Sequence, residues 1–197
     1  MNNIFKNMNH ESAYILGYFW ADANLTNNSL DIELNEKDKY ILDKFNRIIC
    51  DSKNKIYRRE RNNSVCYRLV ITNKEIASTL RDIGFAKKND RIIPKINEEF
   101  IYSFIRGYFD GDGCFLMKTK NLSTEYRVDI AGRKDFIEFI EQYLPACSRY
   151  EIINWKTCVS KRIYYFGKEK VKNFLNIIKP TNINEDIFLE RKHPVLH

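Results

Sequence analysis

Two aspartates that lie 90 positions apart end two similar segments of this chain. Residues 14–22 read YILGYFWAD and residues 104–112 read FIRGYFDGD, so a glycine stands five positions before Asp22 and again before Asp112. Mg²⁺ is typically held by one or two carboxylates together with water and substrate phosphate oxygens. The repeated carboxylate therefore predicts a metal site that is built from two copies of one motif.

Both segments, written as helices, carry a small residue at every fourth position. Residues at i and i+4 share one face, and a face without large side chains lets two helices approach more closely than the usual distance of about 8–10 Å. Glycine inside a helix costs roughly 1 kcal/mol relative to alanine, and close contact between the two faces would offset that cost. The predicted interface residues are Ala13, Gly17 and Ala21 in the first segment and Ser103, Gly107 and Gly111 in the second.

Contact between these faces would bring Asp22 and Asp112 together at the ends of their helices. The two carboxylates would repel each other and would also face the negative ends of the helix dipoles. A bound divalent cation removes both penalties. Either segment alone would be interpreted as an ordinary core helix, and residues 110–113 alone as a turn or a sequence similar to a calcium loop. The carboxylate in both copies favours the metal site.

The segment from Phe104 to Phe115 resembles the motif of the LAGLIDADG homing endonucleases, of the single-chain type with two motifs. The first copy departs at Trp20, where the family often has an acidic residue, and at Ala23, which replaces a glycine. The resemblance extends to residues 80–84, 93–94 and 189–192. It implies that Asp22 and Asp112 are catalytic metal ligands for Mg²⁺, with Mn²⁺ as an alternative and Ca²⁺ supporting binding without cleavage.

The resemblance also implies an α+β fold with two pseudo-symmetric halves, residues 1–90 and 91–197. Each half has the order α-β-β-α-β-β-α, and the halves pack through the motif helices into one unit whose saddle-shaped antiparallel sheets straddle DNA. The hydrophobic pattern fits this order. After the first motif it predicts strands at 24–26 and 29–35, a helix at 37–49, strands at 55–61 and 64–72, and a helix at 74–83.

The second half repeats the pattern, with Asn97 expected to cap its motif helix. The pattern predicts strands at 115–120 and 124–131, a helix at 134–144, strands at 148–155 and 158–166, and a helix at 169–178. Residues 85–94 are expected to connect the halves. No structure is predicted for residues 180–197.

A sheet that has helices on one face leaves its other face free, and a β-ribbon fits the DNA major groove, where Arg and Lys contact guanine and acidic groups accept from cytosine. Any one of these positions could be a solvated strand surface, but together they predict a long contact with double-stranded DNA. The predicted DNA-binding residues are Asp31, Glu33, Lys55, Tyr57, Arg59, Arg61, Arg68, Lys118, Lys120, Tyr126, Arg127, Asp129, Lys156, Lys161, Arg162 and Tyr164.

Lys37 and Arg133 each follow the first hairpin of their half. The family commonly places a basic or amide side chain there, so both are expected to stabilise the scissile phosphate or to position water. The alternative is a surface charge at the start of a helix.

Composition limits the partners and the compartment. The 197 residues carry a formal net charge of +7, which suits an anionic polymer. Five cysteines without a C-x-x-C pair predict reduced thiols, and the chain has no signal-like or membrane-length apolar run. We therefore expect an intracellular protein, in the cytoplasm or an organelle matrix, that is not secreted. Three histidines without ligand spacing argue against a zinc site.

These features predict a monomeric site-specific DNA endonuclease that needs no protein partner. It would make a metal-dependent double-strand break at a long, nearly asymmetric target. Two alternatives use the same scaffold: an intron-encoded RNA maturase, and a DNA-binding regulator without catalysis. The two intact aspartates argue against the regulator and leave the maturase open.

Overall fold

The computed structural model describes residues 2–61, 64–120, 123–179, 187–194 and 196. Six α-helices and eight β-strands lie within these ranges. The first half contains α1 (His10–Asp22), β1 (Asn24–Thr26), β2 (Ser29–Asn35), α2 (Lys39–Cys50), β3 (Ile56–Arg61), β4 (Ser64–Thr72) and α3 (Lys74–Ile83). The second contains α4 (Ile101–Asp112), β5 (Cys114–Lys120), β6 (Ser123–Arg133), α5 (Lys134–Glu141), β7 (Arg149–Asn154), β8 (Val159–Phe166) and α6 (Lys168–Ile177).

The strands form two four-stranded antiparallel sheets with equivalent orders, β1-β2-β4-β3 and β5-β6-β8-β7. Each half therefore has the predicted order of helices and strands, and the predicted α+β fold with two pseudo-symmetric halves is confirmed. The division of the chain at residue 90 stays a prediction.

The first helix and the third agree closely with the sequence because their ends carry strong local signals. The Asn9 side chain accepts a hydrogen bond from the Ser12 amide at the start of α1, and the Asn73 side chain does the same for the Glu75 and Ile76 amides of α3. α3 ends at Gly84, whose φ of +108° suits a residue without a side chain.

Other helix ends differ from the prediction by a few residues. The Asn97 side chain caps a 3₁₀ turn at 98–100, so α4 begins only at Ile101. A similar turn at 36–38 precedes α2. α5 ends at Glu141 rather than at residue 144, four residues before Pro145.

The core surrounds α1 and α4, and the helix-facing side of each sheet packs against it. Alternate residues of β2, which are Leu30, Ile32 and Leu34, are buried, as are Val128 and Ile130 of β6. None of the helices in the described ranges has the length and apolar character needed to cross a membrane.

The two motif helices touch through their backbones. A Cβ atom on Gly17 would lie 1.9 Å from the Phe104 carbonyl oxygen, and a Cβ atom on Gly107 would lie 1.9 Å from the Tyr14 carbonyl oxygen. Near the ends of the helices, a Cβ atom on Gly111 would lie 2.3 Å from the Ala21 Cβ. The two earlier small residues of the stripes, Ala13 and Ser103, are also buried.

A candidate active site where α1 and α4 end

The structure brings Asp22 and Asp112 together as the last residues of α1 and α4. A Cβ atom on Gly111 would lie 3.3 Å from an Asp22 carboxylate oxygen. Desolvation, and after it the negative charge of Asp112, raise the pKa of Asp22 from its ordinary 3.8 to about 6. Desolvation also raises the pKa of Asp112. One side of each carboxylate remains open to solvent, since Asp22 is exposed and the Asp112 side chain is 27% exposed.

Two cations from the connection between the halves cover the end of α1. The Lys88 ammonium lies 3.3 Å from the Ala21 carbonyl oxygen and 3.5 Å from an Asp112 carboxylate oxygen. The buried Arg91 guanidinium donates to the carbonyls of Trp20 and Ala23. Desolvation lowers the pKa of Arg91 to about 10. These contacts place positive charge at the negative end of the α1 dipole.

One cation from the end of the chain covers α4 in the same way. The Lys192 ammonium donates to the carbonyls of Phe109, Asp110 and Gly111 at 3.0, 2.5 and 3.1 Å. Its positive charge acts on both site carboxylates and lowers their pKa values against the effect of burial. No sequence pattern predicted a role for Lys88, Arg91 or Lys192. The resemblance did include residues 189–192, which was the one available signal.

The strand registers place Lys37 and Arg133 at positions that are not equivalent. β2 ends with Asn35 opposite Cys66 of β4, and β6 ends with Arg133 opposite Ser160 of β8. Cys66 and Ser160 both lie six residues before the end of their strand, so Asn35 is the counterpart of Arg133.

The predicted symmetry between Lys37 and Arg133 is therefore corrected by two residues. A 3₁₀ turn separates β2 from α2, whereas α5 follows β6 directly, and that difference misled the alignment. Lys37 lies within that turn, to which the directly joined β6 and α5 have no equivalent, and the Arg133 guanidinium donates to the Asp135 carboxylate at 2.6 Å. Arg133 lines a small pocket together with Lys88, Arg91 and Trp20, whereas Lys37 is exposed in the turn.

Comparison with known proteins agrees with this geometry. Residues 9–84 match the family model of the LAGLIDADG-like domain. The first half of this chain is thus similar to a LAGLIDADG-like domain. The resemblance found in the sequence is confirmed for the first half by that match, and for the architecture of both halves by solved structures.

Several solved LAGLIDADG structures share the fold of nearly the whole chain. The I-LtrWI LAGLIDADG homing endonuclease bound to target DNA has a TM-score of 0.62 at 13% identity, over 94% of this chain and 87% of that chain. The LAGLIDADG meganuclease I-CpaMI bound to uncleaved DNA has a TM-score of 0.58 at 11% identity, over 92% and 88%. I-SmaMI, bound to an uncleaved DNA target in the presence of calcium ions, has a TM-score of 0.54 at 9% identity, over 87% and 84%.

A curated relative matches part of the chain. Reverse gyrase of Methanocaldococcus jannaschii is 27% identical over 135 residues, which are 64% of this chain and 8% of that protein. The chain thus matches only a small part of that relative's length.

The open face of the first sheet carries paired charges. Register places Tyr57, Arg68 and Glu33 side by side across three strands. The Arg68 guanidinium donates to both oxygens of Asp31, and the Arg59 guanidinium lies 3.3 Å from Glu33. Lys55, which precedes β3, places its ammonium 5.4 Å from the centre of the Tyr57 ring. Arg61 is the last residue of β3, and its side chain lies outside the described part of the structure.

The open face of the second sheet repeats the acid–base pairing around Asp129. Its carboxylate lies 3.1 Å from the Arg127 guanidinium and 4.0 Å from that of Arg162. The Tyr164 hydroxyl donates to Glu151 at 2.7 Å. Two further predicted residues, Lys118 on β5 and Lys156 in the turn between β7 and β8, are exposed. The predicted Lys120 side chain lies outside the described residues.

Two residues predicted for this face lie on its opposite side. Lys161 is buried toward the helices, where its ammonium pairs with Glu141, and Tyr126 packs against the core. Successive side chains of a strand point to opposite faces, so Lys161 cannot share a face with Arg162, nor Tyr126 with Arg127. The prediction that both contact DNA is corrected accordingly.

The donor set at the two aspartates fits a hard cation. The available ligands are carboxylate oxygens beside solvent, which suit Mg²⁺ with water and phosphate completing its shell. Among the described residues, no group of three or more His, Cys, Asp or Glu side chains could hold a metal. Two carboxylates, with no third such ligand grouped with them among the described residues, fit an ion that takes its remaining ligands from water and bound phosphate.

Proposed function

We propose that this protein is a site-specific endonuclease that cuts both strands of double-stranded DNA at a long, nearly asymmetric target. The observation that carries the proposal is the pairing of Asp22 and Asp112, two carboxylates of raised pKa at the ends of helices in backbone contact. The fold shared with endonucleases that were solved on DNA supports duplex DNA as the substrate.

The reaction would be hydrolysis, in which water attacks each scissile phosphorus in line and the bond to the 3′-oxygen breaks. Asp22 and Asp112 would hold the divalent ion, Mg²⁺ or Mn²⁺. When bound, that ion supplies Lewis-acid stabilisation of the phosphate and lowers the pKa of coordinated water. Ca²⁺ is proposed to support DNA binding without cleavage.

The chain's own cations would stabilise the charge that develops on the phosphates. Lys88 and Lys192 lie at the ends of α1 and α4, beside the carboxylates. Arg133 lines the adjoining pocket, and Asn35 occupies the equivalent position of the first half, where an amide can orient water. Lys37 lies two residues further along the chain, and we keep it as a second candidate for the first half.

The open faces of the two sheets would bind the duplex. Their guanidinium groups are held by neighbouring carboxylates, as Arg68 is held by Asp31 and Arg127 by Asp129. Such pairing fixes the orientation of an arginine before DNA arrives and so reduces the entropy lost on binding. Because one chain contains both motifs, we propose that a monomer binds each target.

The test begins with a target that the wild-type protein selects and cuts from a pool of randomised duplexes. Asp22→Asn, Asp112→Asn and the double variant are then compared in cleavage with Mg²⁺ and in gel shifts with Ca²⁺. We expect each single variant to abolish double-strand cleavage and to keep DNA binding. Asp82→Asn, a surface change on α3, serves as the matched control and should cut normally.

Three results would contradict the proposal. Full cutting by either single variant would remove that aspartate from the mechanism. Preference of the wild type for structured RNA over duplex DNA would favour a maturase. Tight, selective binding of duplex DNA that is never cut with Mg²⁺ or Mn²⁺ would favour a regulator.

A further inference from the structure

The buried carboxylate of Asp110 collects three hydrogen bonds from two different parts of the chain. Its side chain is fully buried. It accepts from the Tyr14 hydroxyl of α1 at 2.7 Å and from the Leu189 amide at 2.9 Å, and the His193 Nε2 atom lies 2.6 Å from its other oxygen. A buried carboxylate is costly unless donors satisfy it, and here two of the three come from residues 187–193, which we call the C-terminal segment.

The C-terminal segment is also tied to the first half of the molecule. The Arg191 guanidinium makes two hydrogen bonds to the Asp38 carboxylate just before α2, at 3.1 and 2.7 Å. Ile187 and Leu189 are buried in the core. The segment therefore bridges both halves, and its Lys192 ammonium reaches the last carbonyls of α4, next to Asp112.

In the first motif, the position of Asp110 is taken by Trp20. Trp20 contacts residues 85–91 through its ring and its backbone carbonyl, not through a carboxylate. Trp20 lies 90 residues before Asp110, and its ring packs against Phe85 with centroids 5.3 Å apart. The Trp20 carbonyl accepts from Arg91. Residues 85–91 come after α3, the last helix of the first half, and they carry Lys88 to the end of α1. Trp20, where the first motif departs from the family pattern, thus attaches the Lys88 segment by packing and a carbonyl, whereas Asp110 attaches the Lys192 segment through its carboxylate.

We propose that Asp110 and His193 are positioning residues that hold the C-terminal segment so that Lys192 stays at the end of α4, where it serves cleavage of one DNA strand. The inference rests on the proposed endonuclease function for the role of Lys192. The attachment of the C-terminal segment to Asp110 does not rest on that function, because it can be measured in the protein without DNA.

The first experiment compares His193→Phe with Tyr14→Phe by amide hydrogen exchange without DNA. Each variant removes one hydrogen bond to the same carboxylate and keeps an aromatic ring, which suits residue 193 because it lies between Phe109 and Phe188. We expect His193→Phe to speed exchange of the amides at 189, 192 and 193 by about tenfold. Tyr14→Phe should leave the exchange rates of these three amides unchanged relative to those of the other amides in the chain. Equal effects of the two variants would overturn the attachment.

The second experiment measures both strands of the selected target in a supercoiled plasmid. His193→Phe should slow conversion of nicked to linear DNA by about 10- to 100-fold, since a displacement of about 1 Å can cost that much. Lys192→Ala should produce the same nicked product. Adding His193→Phe to Lys192→Ala should then cause no further loss, because both changes remove one function.

The outcomes separate the two hypotheses. Additive losses in the double variant, or the same nicking by Tyr14→Phe, would overturn the positioning role. If the wild type cuts no duplex at all, the endonuclease proposal fails, and hydrogen exchange still decides whether His193 holds the segment.

Discussion

Gly107 lies against the carbonyl group of Tyr14, so close that a Cβ atom on residue 107 would be 1.9 Å from the carbonyl oxygen. Gly17 has the same relation to Phe104. Each glycine precedes its site aspartate by five residues on a continuous helix. The backbone contact between the helices therefore sets how closely Asp22 and Asp112 approach each other.

We expect Gly107→Ala to destabilise the fold by about 3 kcal/mol or more, although alanine gains about 1 kcal/mol in helix propensity. The added methyl group would meet a backbone carbonyl, which cannot move aside as a flexible side chain can. Urea unfolding measures the difference. Ser78→Ala, an exposed change on α3, is the control and should stay within about 0.5 kcal/mol of wild type. Wild-type stability of Gly107→Ala would contradict the backbone contact.

The raised pKa of Asp22 predicts a pH dependence of stability in metal-free protein. Unfolded Asp22 titrates near 3.8 and folded Asp22 near 6, so the folded state binds more protons between these values. The contribution of Asp22 to the free energy of unfolding should therefore fall as pH rises from about 4 to about 6, and stay level above that.

Urea unfolding of wild type and Asp22→Asn, each with a chelator over this pH range, tests the expected dependence. Asp22→Asn should gain stability relative to wild type as pH rises, and the difference should level off above pH 6. A difference that is constant from pH 4 to pH 7 would mean that the folded Asp22 carboxyl is not perturbed.

The corrected register predicts which polar residues serve the two phosphates. Arg133→Ala and Asn35→Ala should each slow cleavage by roughly 10–1000-fold with little change in affinity, as expected for groups that stabilise the transition state. Lys37→Ala should have a smaller effect. Single-turnover cleavage and gel shifts on the selected target separate rate from binding. A large rate loss in Lys37→Ala with none in Asn35→Ala would restore the assignment made from the sequence.

DNA affinity should depend steeply on salt. If the basic residues of the two sheet faces neutralise about 8 phosphates, the slope of log K against log salt should be near −7. Fluorescence anisotropy between 50 and 300 mM KCl measures it, and sedimentation should find one protein per duplex. A flat dependence, or two proteins per duplex, would contradict binding of a monomer through these faces.

The sequence predicted most of the elements because their signals are local. An Asn9 side chain at a helix start, Gly84 at a helix end and the alternation of Leu30, Ile32 and Leu34 each act within a few residues. The prediction of DNA-facing side chains failed where two adjacent residues of a strand were assigned to the same face, as with Lys161 and Arg162. The pairing of Lys37 with Arg133 also failed, because β2 ends at Asn35 and a turn of 3₁₀ helix follows it, whereas β6 continues to Arg133 and leads directly into α5.

The repeated motif by itself determined that two helices would meet along their small residues and that Asp22 and Asp112 would end side by side. Only the tertiary structure decided which cations surround them. Lys88, Arg91 and Lys192 come from segments without a hydrophobic period, and they are placed by hydrogen bonds to carbonyls about 70 to 80 residues away in the chain. Such contacts depend on where two distant segments meet in space, and no local pattern of residue types encodes that.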